Sequence, residues 1–177
     1  TGAANLNEIK DAVKLISKYN KKIVIMHCIL CYPTNMEDAN LKSITFLKKK
    51  FPRIPIGFSD HTLGTIAPTI ASSLGASVIE KHFTINKKLK KSADHWLSVN
   101  EKELSQIAKN IKSTNLSLGK ELKKTFNCEG VTKKNARRSL VANQDIKKGE
   151  KFTAKNLTAK RPGTGISANQ YFKYLGK

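Results

Sequence analysis

Three short apolar runs that do not alternate with polar residues constrain this fold more than any other feature. They lie in "KKIVIMHC", where Ile23 to Met26 are apolar, in "IPIGFSD" and in "ASVIEKHFT". A strand with one solvated face alternates, whereas a strand covered on both faces of a parallel sheet reads as a continuous run. Helix-type segments separate the runs. Leu6, Ile9, Val13, Leu15 and Ile16 form a stripe of period 3.6, with Asn5 or Asn7 and Glu8 as start signals. A second helix is predicted from about Glu37 to Lys50. A third falls in "GTIAPTIASSLG", closed by Gly75 with Pro68 near its first turn, and a fourth runs from about Asn100 to Ser113. Helix and strand therefore take turns with short connections, the pattern of βα units around a parallel sheet.

In such folds the chemistry sits at the C-terminal ends of the strands. Polar residues gather there: His27, Ser59 to His61, and Glu80 to His82, with Tyr32, Asp94 and His95 on the loops that follow. Beyond the fourth helix, residues 118–134 are rich in Gly, Lys and Asn and read as a linker. Residues 135–177 form a small β-rich module, whose short runs are broken by "KKGE" and "RPGTG". It has little apolar material of its own and is expected to need a partner surface.

Charge excludes less than it first suggests. Lys and Arg number 33 against 13 Asp and Glu, a formal net charge of +20. The lysines are spread over nearly every helix-type segment, and aromatics, at 7%, do not interleave with a basic tract as a base-stacking surface requires. Solvated lysine-rich faces and an anionic small substrate account for this charge better than nucleic acid does. No apolar run approaches the ~18 residues of a membrane span, and residues 1–20 resemble no targeting peptide; a cytoplasmic protein is expected. Cys28, Cys31 and Cys128 make no disulfide framework. The C-x-x-C of the first two lacks a second ligand pair and reads as structural or incidental.

His61 and His82 are 21 residues apart, one βα unit, so they should end neighbouring strands. Parallel neighbours lie only ~5 Å apart, and two neutral imidazoles at that spacing can grip one cation while leaving positions for water and substrate. The alternative is that each imidazole bonds a loop carbonyl as ordinary strand-end punctuation. Spacing alone leaves the two readings open.

The motifs "MHC…YP", "GFSDHTLG", "VIEKHFT", "ADHWLS", "ARRSLVANQDIKKGE" and "KRPGTGIS", in this order, resemble the N-acetylneuraminate (sialic acid) synthase family with its legionaminate and pseudaminate relatives. The resemblance covers essentially the whole chain. It implies the C-terminal half of a (β/α)8 TIM barrel over residues 1–117, the linker, and a SAF (antifreeze-like) domain over 135–177. It implies condensation of phosphoenolpyruvate with N-acetylmannosamine or a related N-acetylated amino sugar, with release of phosphate. The enol carbon attacks the sugar aldehyde, water adds at the resulting cationic centre, and the tetrahedral intermediate expels phosphate. A divalent cation, Mn2+ or Mg2+, would be held by His61 and His82, which are also the catalytic candidates.

Carried over position by position, Ser59 would contact phosphoenolpyruvate, and Tyr32 and Asp94 the amino sugar. Arg161 would reach the sugar across a domain-swapped homodimer. Two parts of the family pattern are expected to lie outside these residues: the first half of the barrel, with the phosphate-holding lysines and the glutamate of proton transfer, and the second half of the SAF repeat. The chain is thus expected to be a fragment of a longer product or half of a split enzyme. Leu30 stands where that loop is commonly polar. A non-catalytic remnant, whose SAF domain binds carbohydrate or a partner chain, is the alternative function.

Overall fold

The computed structural model describes all 177 residues, which divide into two compact units, Thr1–Lys120 and Glu121–Lys177. The first unit holds helices α1 (Leu6–Ile16), α2 (Lys42–Lys50), α3 (Ile66–Ser73) and α4 (Glu101–Leu118). Its strands are β1 (Ile25–Cys28), β2 (Ile56–Asp60) and β3 (Ile79–Lys81). They pair in parallel in the order β1-β2-β3. This is the α/β parallel sheet that the non-alternating runs predict. β2 is the central strand and all five of its residues are buried. Its Ile56 and Phe58 join Ile25, Ile44, Leu47, Ala67 and Ala71 in one core, with Ile9, Val13 and Ile79 packed against it.

Local signals explain most boundaries. Asn5 caps α1 and closes a capping box with Glu8. Asn100 does the same for α4: its side chain accepts from the Glu103 N–H at 3.0 Å, while the Glu103 carboxylate accepts from the Asn100 N–H at 2.9 Å. The hydrogen bond from Lys87, followed by that from the Asn100 backbone, holds the Glu103 carboxyl below its ordinary value. α3 ends in a Schellman motif, Gly75 N–H to Ser72 O and Ala76 N–H to Ala71 O, which needs the positive φ of Gly75, 91°.

Four expectations shift. The first strand begins at Ile25, two residues late, and Val24 is exposed. α2 starts at Lys42 rather than Glu37, because Asn40 takes a positive φ of 41° that a helix cannot include. α4 continues five residues past Ser113, to Leu118, where Gly119 ends it. Leu15 and Ile16 are more than 45% exposed, so the buried stripe of α1 narrows to Ile9 and Val13.

The second unit contains α5 (Gly130–Ala136), β4 (Ser139–Ala142), β5 (Leu157–Lys160) and α6 (Tyr171–Tyr174), with β4 and β5 antiparallel. The helix α5, preceded by a 3-10 turn at Asn127–Glu129, occupies residues that composition reads as linker. Regular strand is confined to one pair, with a further bridge between Ser139 and Ser167. Asn156 is fully buried and organises this unit: its carbonyl accepts from the Thr153 N–H at 2.7 Å, and its amide donates to Lys151 O at 3.0 Å. No helix is long and apolar enough to cross a membrane.

Candidate active site

The parallel register places the candidate residues at one sheet edge. Cys28 pairs with Ser59, Ser59 with Glu80, and Asp60 with Lys81, so His61 and His82 each follow the last paired residue of their strand. Their ring centroids are 5.3 Å apart in an edge-to-face arrangement. Tyr32, on the loop after β1, completes an aromatic triangle at 4.0 Å from His61 and 5.8 Å from His82.

Each histidine has its Nδ1 facing an acceptor. His61 Nδ1 donates to the Ile29 carbonyl at 2.8 Å, with Cys28 Sγ 3.9 Å away. A carbonyl cannot donate in return, so the proton of the neutral ring sits on Nδ1 and Nε2 keeps its lone pair. His82 Nδ1 lies 3.5 Å from Asp94 Oδ2, a long contact with the same polarity. An acceptor behind one ring nitrogen, freeing the other, is how ligand histidines are oriented. The donor chemistry therefore fits a divalent cation. No third His, Cys, Asp or Glu joins the pair in a cluster of three.

Asp94 reaches this edge because its loop is fastened at both ends. Ser98 Oγ donates to the Asp94 carbonyl at 2.6 Å, and the neighbouring His95 Nδ1 pairs with the buried Thr84 hydroxyl at 2.9 Å. His95 is thereby committed to holding the loop. Ser59 is buried and donates to Glu80 Oε1 at 2.6 Å. Leu30 is exposed at this edge.

One placement differs from the sequence reading. His27 is not among the polar groups gathered at the edge: it is 4% exposed, stacked on Phe58 at 5.7 Å, with Nε2 2.9 Å from the Ala39 carbonyl. Burial pushes its imidazole below the ordinary 6.5, against the pull of that carbonyl. Arg161 falls in the second unit, where its motif puts it; it is exposed and its Nε donates to Ala136 O at 3.1 Å.

Sequence reasoning passed over one feature. Asp60 and Lys81, the residues just before the two histidines, form a buried ion pair at 2.6 Å with side chains 0% and 4% exposed. Its trace in the sequence is the opposed charges of D-H and K-H, 21 residues apart.

Parallel βα units that end in a histidine pair, followed in sequence by a small antiparallel unit, make this an α/β chain with its candidate site at the strand ends. It belongs to the NeuB family, which matches residues 1–123, and residues 137–177 match the SAF domain. The chain is 42% identical over 180 residues to the N,N'-diacetyllegionaminic acid synthase of Campylobacter jejuni, covering 100% of this chain and 53% of that protein. An uncharacterized protein of Methanocaldococcus jannaschii is 43% identical over 176 residues, 99% of this chain and 50% of its own. Among solved structures, the N-acetylneuraminic acid (sialic acid) synthetase of Leptospira borgpetersenii, in complex with citrate, superposes with a TM-score of 0.67 at 34% identity. That match covers 74% of this chain and 45% of that one. The chain spans about half the length of the curated relatives it matches.

Proposed function

We propose that this chain supplies the strand-end half of a nonulosonic acid synthase site, in which phosphoenolpyruvate condenses with N-acetylmannosamine or a related N-acetylated amino sugar and phosphate is released. The observation that carries the reading is the meeting of His61, His82 and Tyr32 at one edge, with an acceptor behind the Nδ1 of each histidine. The relatives support it, being named as synthases of legionaminic, pseudaminic and N-acetylneuraminic acid 9-phosphate types.

In this reading the three parallel strands are part of a (β/α)8 barrel, and His61 and His82 would hold Mn2+ or another divalent cation, which when bound would supply Lewis-acid polarisation of the sugar's aldehyde. The Ile29 carbonyl keeps the His61 proton on Nδ1, and Asp94 faces His82 from behind. Tyr32 covers the His61 ring on its solvent side and offers its hydroxyl to the sugar. The Ser59 hydroxyl, held by Glu80, faces phosphoenolpyruvate with its remaining lone pairs. Arg161 serves the sugar in a partner subunit of a domain-swapped homodimer, so Arg161→Ala weakens sugar binding more than phosphoenolpyruvate binding.

The test is phosphate release from phosphoenolpyruvate by the purified chain with Mn2+, with and without N-acetylmannosamine. Sugar-dependent release supports synthase chemistry in this chain. No release with manganese still bound leaves a metal half-site that needs the rest of its barrel, whereas neither release nor manganese binding contradicts the reading and favours a non-catalytic remnant.

A further inference from the structure

The strand β3 contributes only three ladder residues, too few to fix its register against β2 firmly. Yet the position of His82 beside His61 depends on that register. Because side chains alternate along a strand, a slip of one residue carries every side chain to the opposite face. Something other than the ladder must penalise a slip.

Asp60 and Lys81 are direct partners in the β2–β3 register, and each immediately precedes one histidine. Their carboxylate and ammonium groups meet at 2.6 Å, almost wholly buried. The remaining bonds run to the backbone around His61. Asp60 Oδ1 accepts from the Thr62 N–H at 2.8 Å, and Lys81 Nζ donates to the Thr62 carbonyl at 2.5 Å. The loop after β1 is joined in as well, since the Thr34 N–H donates to the His61 carbonyl at 2.9 Å.

We propose that Asp60 and Lys81 are a positioning pair for metal binding: they lock the register that sets His61 beside His82. This rests on the reading of the two histidines as cation ligands. A buried ion pair adds little stability over apolar side chains of similar size, so stability alone does not account for one here. It does penalise every register that separates the charges, because each would then lie buried without a partner. Its role in this proposal is exerted through the backbone beside the two histidines, which Asp60 and Lys81 reach at Thr62.

The experiment is a titration of the 177-residue chain with Mn2+ alone, followed by electron paramagnetic resonance of the free ion, with thermal melts as the check on folding. The variant Asp60→Leu/Lys81→Met replaces the pair by apolar side chains and removes the lock without stranding a charge. It is expected to fold and to bind Mn2+ at least ~10-fold more weakly than wild type, the scale of losses behind metal ligands. Wild-type affinity in the folded double variant overturns the proposal and leaves the metal site standing. If that variant does not fold, Asp60→Asn/Lys81→Gln keeps polar atoms near Thr62 and removes only the charges. A loss of affinity there supports the lock, and unchanged affinity overturns it. A wild-type chain that takes up no Mn2+ overturns the metal reading and this proposal with it.

Discussion

The ring of Tyr32 lies 4.0 Å from that of His61, centroid to centroid, with the planes tilted by 33°. This contact explains how His61, just past the end of a strand, is only 6% exposed while Tyr32 is 47% exposed. Ring packing and hydroxyl chemistry can be separated at Tyr32. Tyr32→Phe keeps the cover and is expected to leave Mn2+ affinity within about twofold while raising the KM for sugar. Tyr32→Ala removes an aromatic contact worth about 0.5–1.5 kcal/mol and is expected to weaken Mn2+ by up to roughly tenfold. Metal titration beside sugar kinetics distinguishes the two.

Asp94 was expected from the family resemblance to touch the sugar, and its carboxylate faces His82 Nδ1 at 3.5 Å. Asp94→Asn removes the charge behind that imidazole at nearly constant shape. A loss of Mn2+ affinity of about tenfold is expected if orienting His82 is its main task. An unchanged metal affinity with a raised sugar KM would assign Asp94 to the substrate alone.

His27 makes stability depend on pH. Its folded-state imidazole is held below the ordinary 6.5 by burial, so on acidification the unfolded chain binds a proton first. Its contribution is intact above about pH 6.5 and is lost below it, with a slope of at most about 1.4 kcal/mol per pH unit. Denaturant unfolding between pH 7.5 and 5 should show the decline. His27→Leu strands the Ala39 carbonyl and is expected to be less stable at pH 7.5, yet to have a flatter profile.

Gly57 sits in the central strand where a Cβ would fall 2.3 Å from Met26 Sδ and 2.9 Å from the Val78 carbonyl. The sulfur can move; the backbone carbonyl cannot without parting β2 from β3. Gly57→Ala is expected to cost about 1–3 kcal/mol, as overpacking does, and to weaken Mn2+ binding through the shifted strand. Thermal melts with and without the metal check both effects.

The parallel sheet was legible because covered strands leave an uninterrupted apolar signature, and β2, buried at every position, leaves the clearest one. His61 and His82 were legible because one βα unit separates them. The behaviour of His27 was not: in the register it pairs with Phe58, before the strand end, and its ring stacks on that core residue and meets the Ala39 carbonyl. The Asp60–Lys81 pair shares the spacing of the histidines and leaves a trace of opposed charges, but nothing local in the sequence says that a lysine and an aspartate at strand ends will be buried together. The helix α5 within a Lys- and Asn-rich stretch shows the converse, that composition marks a solvated surface more reliably than an absence of structure.

The central claim is that His61 and His82 hold one divalent cation between them. Its most direct test is the stoichiometry and affinity of Mn2+ on the wild-type chain, on His61→Ala and on His82→Ala. The account predicts one site per chain, abolished by either substitution while both variants melt as folded proteins. A site that survives both substitutions, or a folded wild-type chain that binds no manganese, would contradict it.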